Sequence, residues 1–244
     1  MGDSALRLQG RDGMMKDLMC NSTYFGVMIS VACYELGVFL KRKWKLGILN
    51  PLLFAIVSVI VILLAFHIDY ETYNDGAKYL SYLLTPATVC LAIPLYEQLH
   101  LLKRNWLAIS AGILSGVLTS MLCILAFAKL FRFTHQEYVT LLPKSITTAI
   151  GMGLSEEMGG IVTITVIVII ITGVLGNVIA EGVCSLFRIT HPIAKGIGIG
   201  TASHAVGTAK AMELGEVEGA MSSLSVAVAG LVTVIFVSFF AQFI

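Results

Sequence analysis

From about Ala220 to Ile244 the chain carries no charged side chain, and Ile161 to Ala180 is a second run of the same kind. Runs of that length cross the hydrocarbon of a bilayer as helices, because no water is present there to satisfy an unpaired backbone. Earlier runs at Tyr24–Leu40, Ile48–Phe66, Leu80–Tyr96 and Leu107–Phe131 continue the theme, the third interrupted by Pro86 and Pro94, which reads as a kinked helix. With 57% apolar and 13% charged residues and a mean hydropathy of +0.88, an ordinary soluble globule is excluded. A net charge of +1 gives no electrostatic case for nucleic acid. The expected fold is an all-α polytopic membrane protein with about six to eight transmembrane segments.

Basic clusters at Lys41–Lys45 and Lys103–Arg104 alternate with an acidic, turn-like link between Asp69 and Gly76. The positive-inside rule puts both basic clusters in the cytoplasm, so the first helix starts outside. The five cysteines show no CxxC or metal spacing, and no metal or cofactor is expected. MGDSALRLQGRDG resembles a fusion scar before a start at Met14 or Met15. Residues 1–14 are therefore set apart, as an added or disordered segment, from one membrane domain over 15–244.

Two segments depart from the plain apolar pattern. LLPKSITTAIGMGLSEEMGG (141–160) and PIAKGIGIGTASHAVGTAKAMELG (192–215) mix glycine with hydroxyl, imidazole and charged side chains. Irregular backbone at membrane depth survives only inside protein or beside water, and titratable groups there usually mark a pathway or a site. Both are expected to be discontinuous or re-entrant, broken at Pro143, Gly151, Gly153, Gly200 and Gly207. Internal matches support a repeat: FRFTHQ (131–136) lies over FRITHP (187–192), and TTAIGMGLSEEMG (147–159) over SHAVGTAKAMELG (203–215), both at an offset of 56. The repeat-related segments are about 83–131, 141–187 and 197–244, and re-entry would make successive units inverted.

Half-helix ends pointed at the membrane midplane stabilise a carboxylate at their N-termini. Candidate substrate contacts are Lys144, Ser145, Thr147, Thr148, Asn177, Ser203, His204, Thr208 and Lys210. His204, Glu156, Glu157 and Glu213 are candidates for proton coupling. Each has a plainer alternative: the lysines can snorkel, the glutamates can be solvated, and Asn177 can hydrogen-bond a neighbouring helix. No placed nucleophile, P-loop or HExxH occurs, so an enzyme is not expected.

PKSITTAIGMGLSEEMGG and GIGTASHAVGTAKAMELGEVEGAMSSLSVAVAGLVT, with NPLL (50–53) and LLTPATVCLAIPLYEQL, resemble the LrgB/CidB family over about residues 20–244. The resemblance implies a bacterial inner-membrane protein, encoded beside a smaller LrgA/CidA-type partner. Two functions follow from it. One is secondary transport of small 2-hydroxy or 2-keto monocarboxylates (glycolate, glycerate, lactate, pyruvate) by alternating access, as in a plastid glycolate/glycerate translocator. The other is antiholin- or holin-like regulation of murein hydrolase activity and cell lysis. Membrane lipid, that small partner and a second copy of the chain are the expected associates.

Overall fold

The computed structural model describes residues 24–44, 51–90 and 92–244, which form helices and short connections without a strand among them. The segment expected to be added or disordered, residues 1–14, lies outside the described residues. The chain divides into two compact units, 1–88 and 89–244.

In the first unit, α1 (Phe25–Trp44) packs against both α2 (Pro51–Ala65) and α3 (Tyr70–Ser81). Gly26 makes the α1–α3 contact possible, since a Cβ there would collide with the backbone of Tyr73 and Ala77. Ser30 Oγ and Tyr73 Oη share a hydrogen bond of 2.8 Å beside it. The acidic link expected to be a turn is thus mostly helix. Asp69 stands in extended backbone at its N-cap, Glu71 complements the dipole of the first turn, and Lys78 pairs with Asp75 at 3.0 Å. The run with two prolines is two short helices, α4 (Leu84–Cys90), which spans the boundary of the two units, and α5 (Ala92–Glu97), which belongs to the second, with Pro86 in one and Pro94 in the other.

The second unit contains α6 (Leu99–Phe131), α7 (His135–Leu141), α8 (Thr148–Glu157), α9 (Val162–Leu186), α10 (Pro192–Leu214) and α11 (Glu216–Phe240). Among the described residues, α6, α9 and Glu216–Phe243 are long and apolar enough to cross a membrane. α6 turns one stripe inward, Ile109, Ile113, Val117, Met121, Ile124 and Ala128, at helical spacing onto the apolar core with α11. Its opposite side is exposed at Leu107, Leu122 and Leu130, as a lipid-facing side must be. The helix kinks at Asn105 (φ −116°, ψ 20°), whose side-chain amide donates to the Leu101 carbonyl at 3.0 Å.

α10 is a hairpin rather than a rod. At His204 the backbone adopts φ 43°, ψ −144°, and the chain turns back on itself. A Cβ at Gly207 would stand 3.1 Å from Ile199 Cγ2 and 3.2 Å from the Ile199 carbonyl oxygen. A straight helix would set residues eight apart about 12 Å away. The inbound half, Pro192–Ser203, therefore lies beside the outbound half, Ala205–Leu214. α7 and α8 form a second hairpin, turned over residues 142–147. Its two arms meet at Thr165, whose Oγ1 lies 2.9 Å from the Thr140 carbonyl oxygen and 2.7 Å from Ser155 Oγ.

The glycines expected to break these segments do not do so. Gly151 and Gly153 lie inside α8, and Gly200 and Gly207 lie inside the arms of α10. Three of them permit close approach instead: Gly151 to Ile169, Gly200 to Ser222 and Ser225, and Gly207 to Ile199 and Ser203. Gly153 has open space around it. Pro143 sits in the turn before α8 rather than at its start.

The two hairpins enter from opposite ends of α11. The α7–α8 base is held at its C-terminal end, where Tyr138 Oη donates to the Phe240 carbonyl at 3.0 Å and His135 Nδ1 to that of Ile244 at 2.7 Å. The α10 base is held near its start, where Gly196 faces Glu218 and Met221, and Met212 faces Gly219. The α10 tip reaches about as far as Ser225, roughly 14 Å along α11. That is about half the hydrocarbon thickness of a bilayer.

Candidate functional site

The hairpin tips meet between α6, α9 and α11. His204 is 4% exposed, and its Nε2 donates to the Ile169 carbonyl at 3.0 Å, since a carbonyl only accepts. The side chain of Ile169 covers Gly151 in the opposite hairpin, so one residue of α9 touches both. α9 fits the reversal through two glycines. A Cβ at Gly173 would come within 2.6 Å of His204 Cε1, and one at Gly176 would run into Ser203 Oγ. Backbone groups released at the break find partners. Thr208 Oγ1 donates to the His204 carbonyl at 3.0 Å and also meets Ser222 Oγ at 2.8 Å. The Asn177 amide donates to the Val206 carbonyl at 2.7 Å.

Beside this contact lies a cavity of about 10 Å³, room for roughly one water molecule. Its polar wall consists of Ser120 from α6, Ser145 from the first tip, Thr201 from the inbound arm of α10 and Thr233 from α11. Ser145 Oγ lies 3.1 Å from Ser120 Oγ and accepts from Lys144 Nζ at 3.0 Å. Lys144 is half-buried and makes no salt bridge to a described carboxylate. Thr147 is the N-cap of α8, so the positive end of that helix, with Thr148, faces the centre.

The expected site residues thus fall into three groups. Lys144, Ser145, Thr147, Thr148, Ser203, His204, Thr208 and Asn177 are at or around the tips. Lys210 is away from them, paired with Glu181 at 3.1 Å and Glu213 at 3.3 Å, where it ties the outbound arm to the end of α9. Glu156, Glu157 and Glu213 are exposed near the hairpin bases. Sequence reasoning did not place Ser120, Thr201 or Thr233 among the substrate contacts; Thr201 lies within the second unusual segment, whereas Ser120 and Thr233 lie in long apolar runs where a hydroxyl is ordinary. At the base of the first hairpin, the Thr134 backbone N–H and hydroxyl donate to Glu137, holding its carboxyl below the usual range and completing a capping box.

The inbound arm of α10 is flanked by two grooves. One, about 510 Å³, runs along α6 from Asn105 and His191 to Gly116 and Thr201. The other, about 200 Å³, runs along α9 from Lys195 to Ser203. A Cβ at Gly198, between them, would meet nothing within 4 Å. Among the described residues, no group of three or more His, Cys, Asp or Glu is placed to hold a metal ion.

The profile of the LrgB-like family matches residues 30–243. The antiholin-like protein LrgB of Bacillus cereus (strain B4264) is 39% identical over 222 residues, covering 91% of this chain and 96% of that protein. The antiholin-like protein LrgB of Bacillus anthracis (strain CDC 684 / NRRL 3495) matches with the same figures. No solved structure matches.

Proposed function

The chain belongs to the LrgB-like family of membrane proteins, and from that premise we propose that it carries small 2-hydroxy or 2-keto monocarboxylates by alternating access. The observation behind this reading is the approach of two opposed helical hairpins to one hydroxyl-lined cavity, with the Lys144 ammonium and the N-terminus of α8 beside it. A cation at membrane depth without a carboxylate partner among the described residues suits an anionic substrate. We read the whole chain as six spanning helices, α1, α2, α4–α5, α6, α9 and α11, and two re-entrant hairpins in the second unit.

An inverted repeat accounts for the pairing of the hairpins. α6 is followed by Arg132 and α9, one residue further on, by Arg188, both at φ 54°, and each leads through a Thr-His sequence into a hairpin. Thr147 immediately precedes the outbound arm of the first hairpin, and Ser203, matched to it in the sequence, ends the inbound arm of the second, directly before the turn at His204.

In this mechanism the outbound arm of α10 stays fixed through Lys210, Thr208 and Asn177. The inbound arm, with grooves on two sides, swings about His204 to uncover Thr201 and the cavity. The substrate carboxylate would sit on Lys144 Nζ and Ser145, with Ser120, Thr201 and Thr233 reading its hydroxyl or keto oxygen. His204 would handle any coupled proton.

A second reading is antiholin-like regulation together with an LrgA/CidA-type membrane partner or a second copy of the chain. The names of the relatives favour it over transport. Proteoliposomes holding this protein alone separate the two. Transport predicts saturable, competable uptake of labelled glycolate, glycerate, lactate or pyruvate, weakened at least tenfold in KM by Lys144→Gln. Folded protein with no uptake, alone and with the small partner, would leave the antiholin-like reading.

A further inference from the structure

At the junction of α9 and α10 a groove of about 490 Å³ opens at the end of a membrane-crossing helix. Arg188, Lys195, Ser185 and Thr190 supply its polar wall, with one carboxylate, Glu181. That carboxylate is already engaged by Lys210 at 3.1 Å, whereas neither Arg188 nor Lys195 makes a salt bridge among the described residues. Immediately before Arg188, Leu186 and Phe187 are 77% and 70% exposed. The groove therefore offers two cations and two hydroxyls at the membrane–water boundary, next to large apolar side chains on the lipid side.

We propose that this groove binds the phosphodiester of an anionic phospholipid. The guanidinium and ammonium would hold the phosphate, the hydroxyls its ester or headgroup oxygens, and Leu186 and Phe187 would lie along an acyl chain. Two features favour a lipid over a free anion: the apolar flank, and a position where juxtamembrane cations gain from anionic headgroups. The site is separate from the central cavity and does not depend on what the cavity carries.

The test titrates short-chain phosphatidylglycerol into the purified full chain in a neutral detergent and follows the thermal unfolding midpoint. Phosphatidylglycerol should raise it, phosphatidylcholine and inorganic phosphate should not, and the Arg188→Gln/Lys195→Gln variant should need roughly thirtyfold more lipid for half the shift. Should that variant already unfold early without lipid, Arg188→Lys/Lys195→Arg, which keeps both charges, should fold and respond like wild type. An equal shift with phosphatidylcholine, or an unaltered response in the neutral variant, would overturn the proposal. Inorganic phosphate reproducing the shift would mean a free-anion site instead.

Discussion

His204 Nε2 and the carbonyl oxygen of Ile169 lie 3.0 Å apart at the tip of a hairpin whose backbone is left-handed at His204 itself. A side chain other than glycine at φ 43° costs energy, and the surroundings must hold it there. The ring anchored on α9 does so from one side, and the Thr208 hydroxyl on the His204 carbonyl from the other.

That geometry separates two variants. His204→Gly and His204→Ala both lose the bond to Ile169, but only alanine keeps the left-handed penalty. The glycine variant should be the more stable by about 1 kcal/mol, measured as thermal unfolding in detergent. Equal stability would mean that the backbone at this position is not strained.

Gly176→Ala should push the α10 tip away from α9, because the added methyl meets Ser203. Overpacking of this kind costs about 1–3 kcal/mol. Ser203→Gly in the same chain should recover most of the loss, giving a double-mutant coupling that two distant sites would not show. Additive losses would place Ser203 elsewhere.

Lys210→Gln should leave KM for the proposed carboxylate substrate within about twofold, since Lys210 pairs with Glu181 and Glu213. With Glu181 largely exposed, the pair contributes about 0.5 kcal/mol to stability. Exchanging the charges, Lys210→Glu with Glu181→Lys, should restore it. A tenfold rise in KM for Lys210→Gln would instead make Lys210 a substrate contact.

The Glu137 carboxyl is held below its ordinary value by the Thr134 N–H and hydroxyl. A group with its folded pKa depressed adds stability at pH values above its unfolded pKa, and loses that contribution as pH falls through the folded value. Wild type should therefore lose stability relative to Glu137→Gln as pH drops below about 4.5. Parallel unfolding curves for the two proteins across that range would remove the capping box from the account.

The two unusual segments were legible in the sequence because glycine, hydroxyl and charged residues interrupt runs that otherwise have none. The hinge itself was not legible. Glycine is the residue expected at a left-handed position, yet the turn falls on His204, whose partners lie on α9, some 35 residues earlier in the chain. Gly151, Gly200 and Gly207 instead allow close packing, a role fixed only by what lies opposite. The pairing of Lys210 was not legible for a similar reason: its acid partner Glu181 is on another helix. Ser120 and Thr233 look like ordinary small residues of membrane helices until folding sets them around one cavity.

The open space at Gly198 has a pharmacological corollary. The inbound arm of α10 is bordered by unfilled volume along both α6 and α9, while its partner arm is locked. On the alternating-access reading, a small apolar molecule lodged in either groove would leave the resting conformation intact and deny the arm the space for its swing. Such a compound would act as a wedge, without resembling the cargo or competing with it.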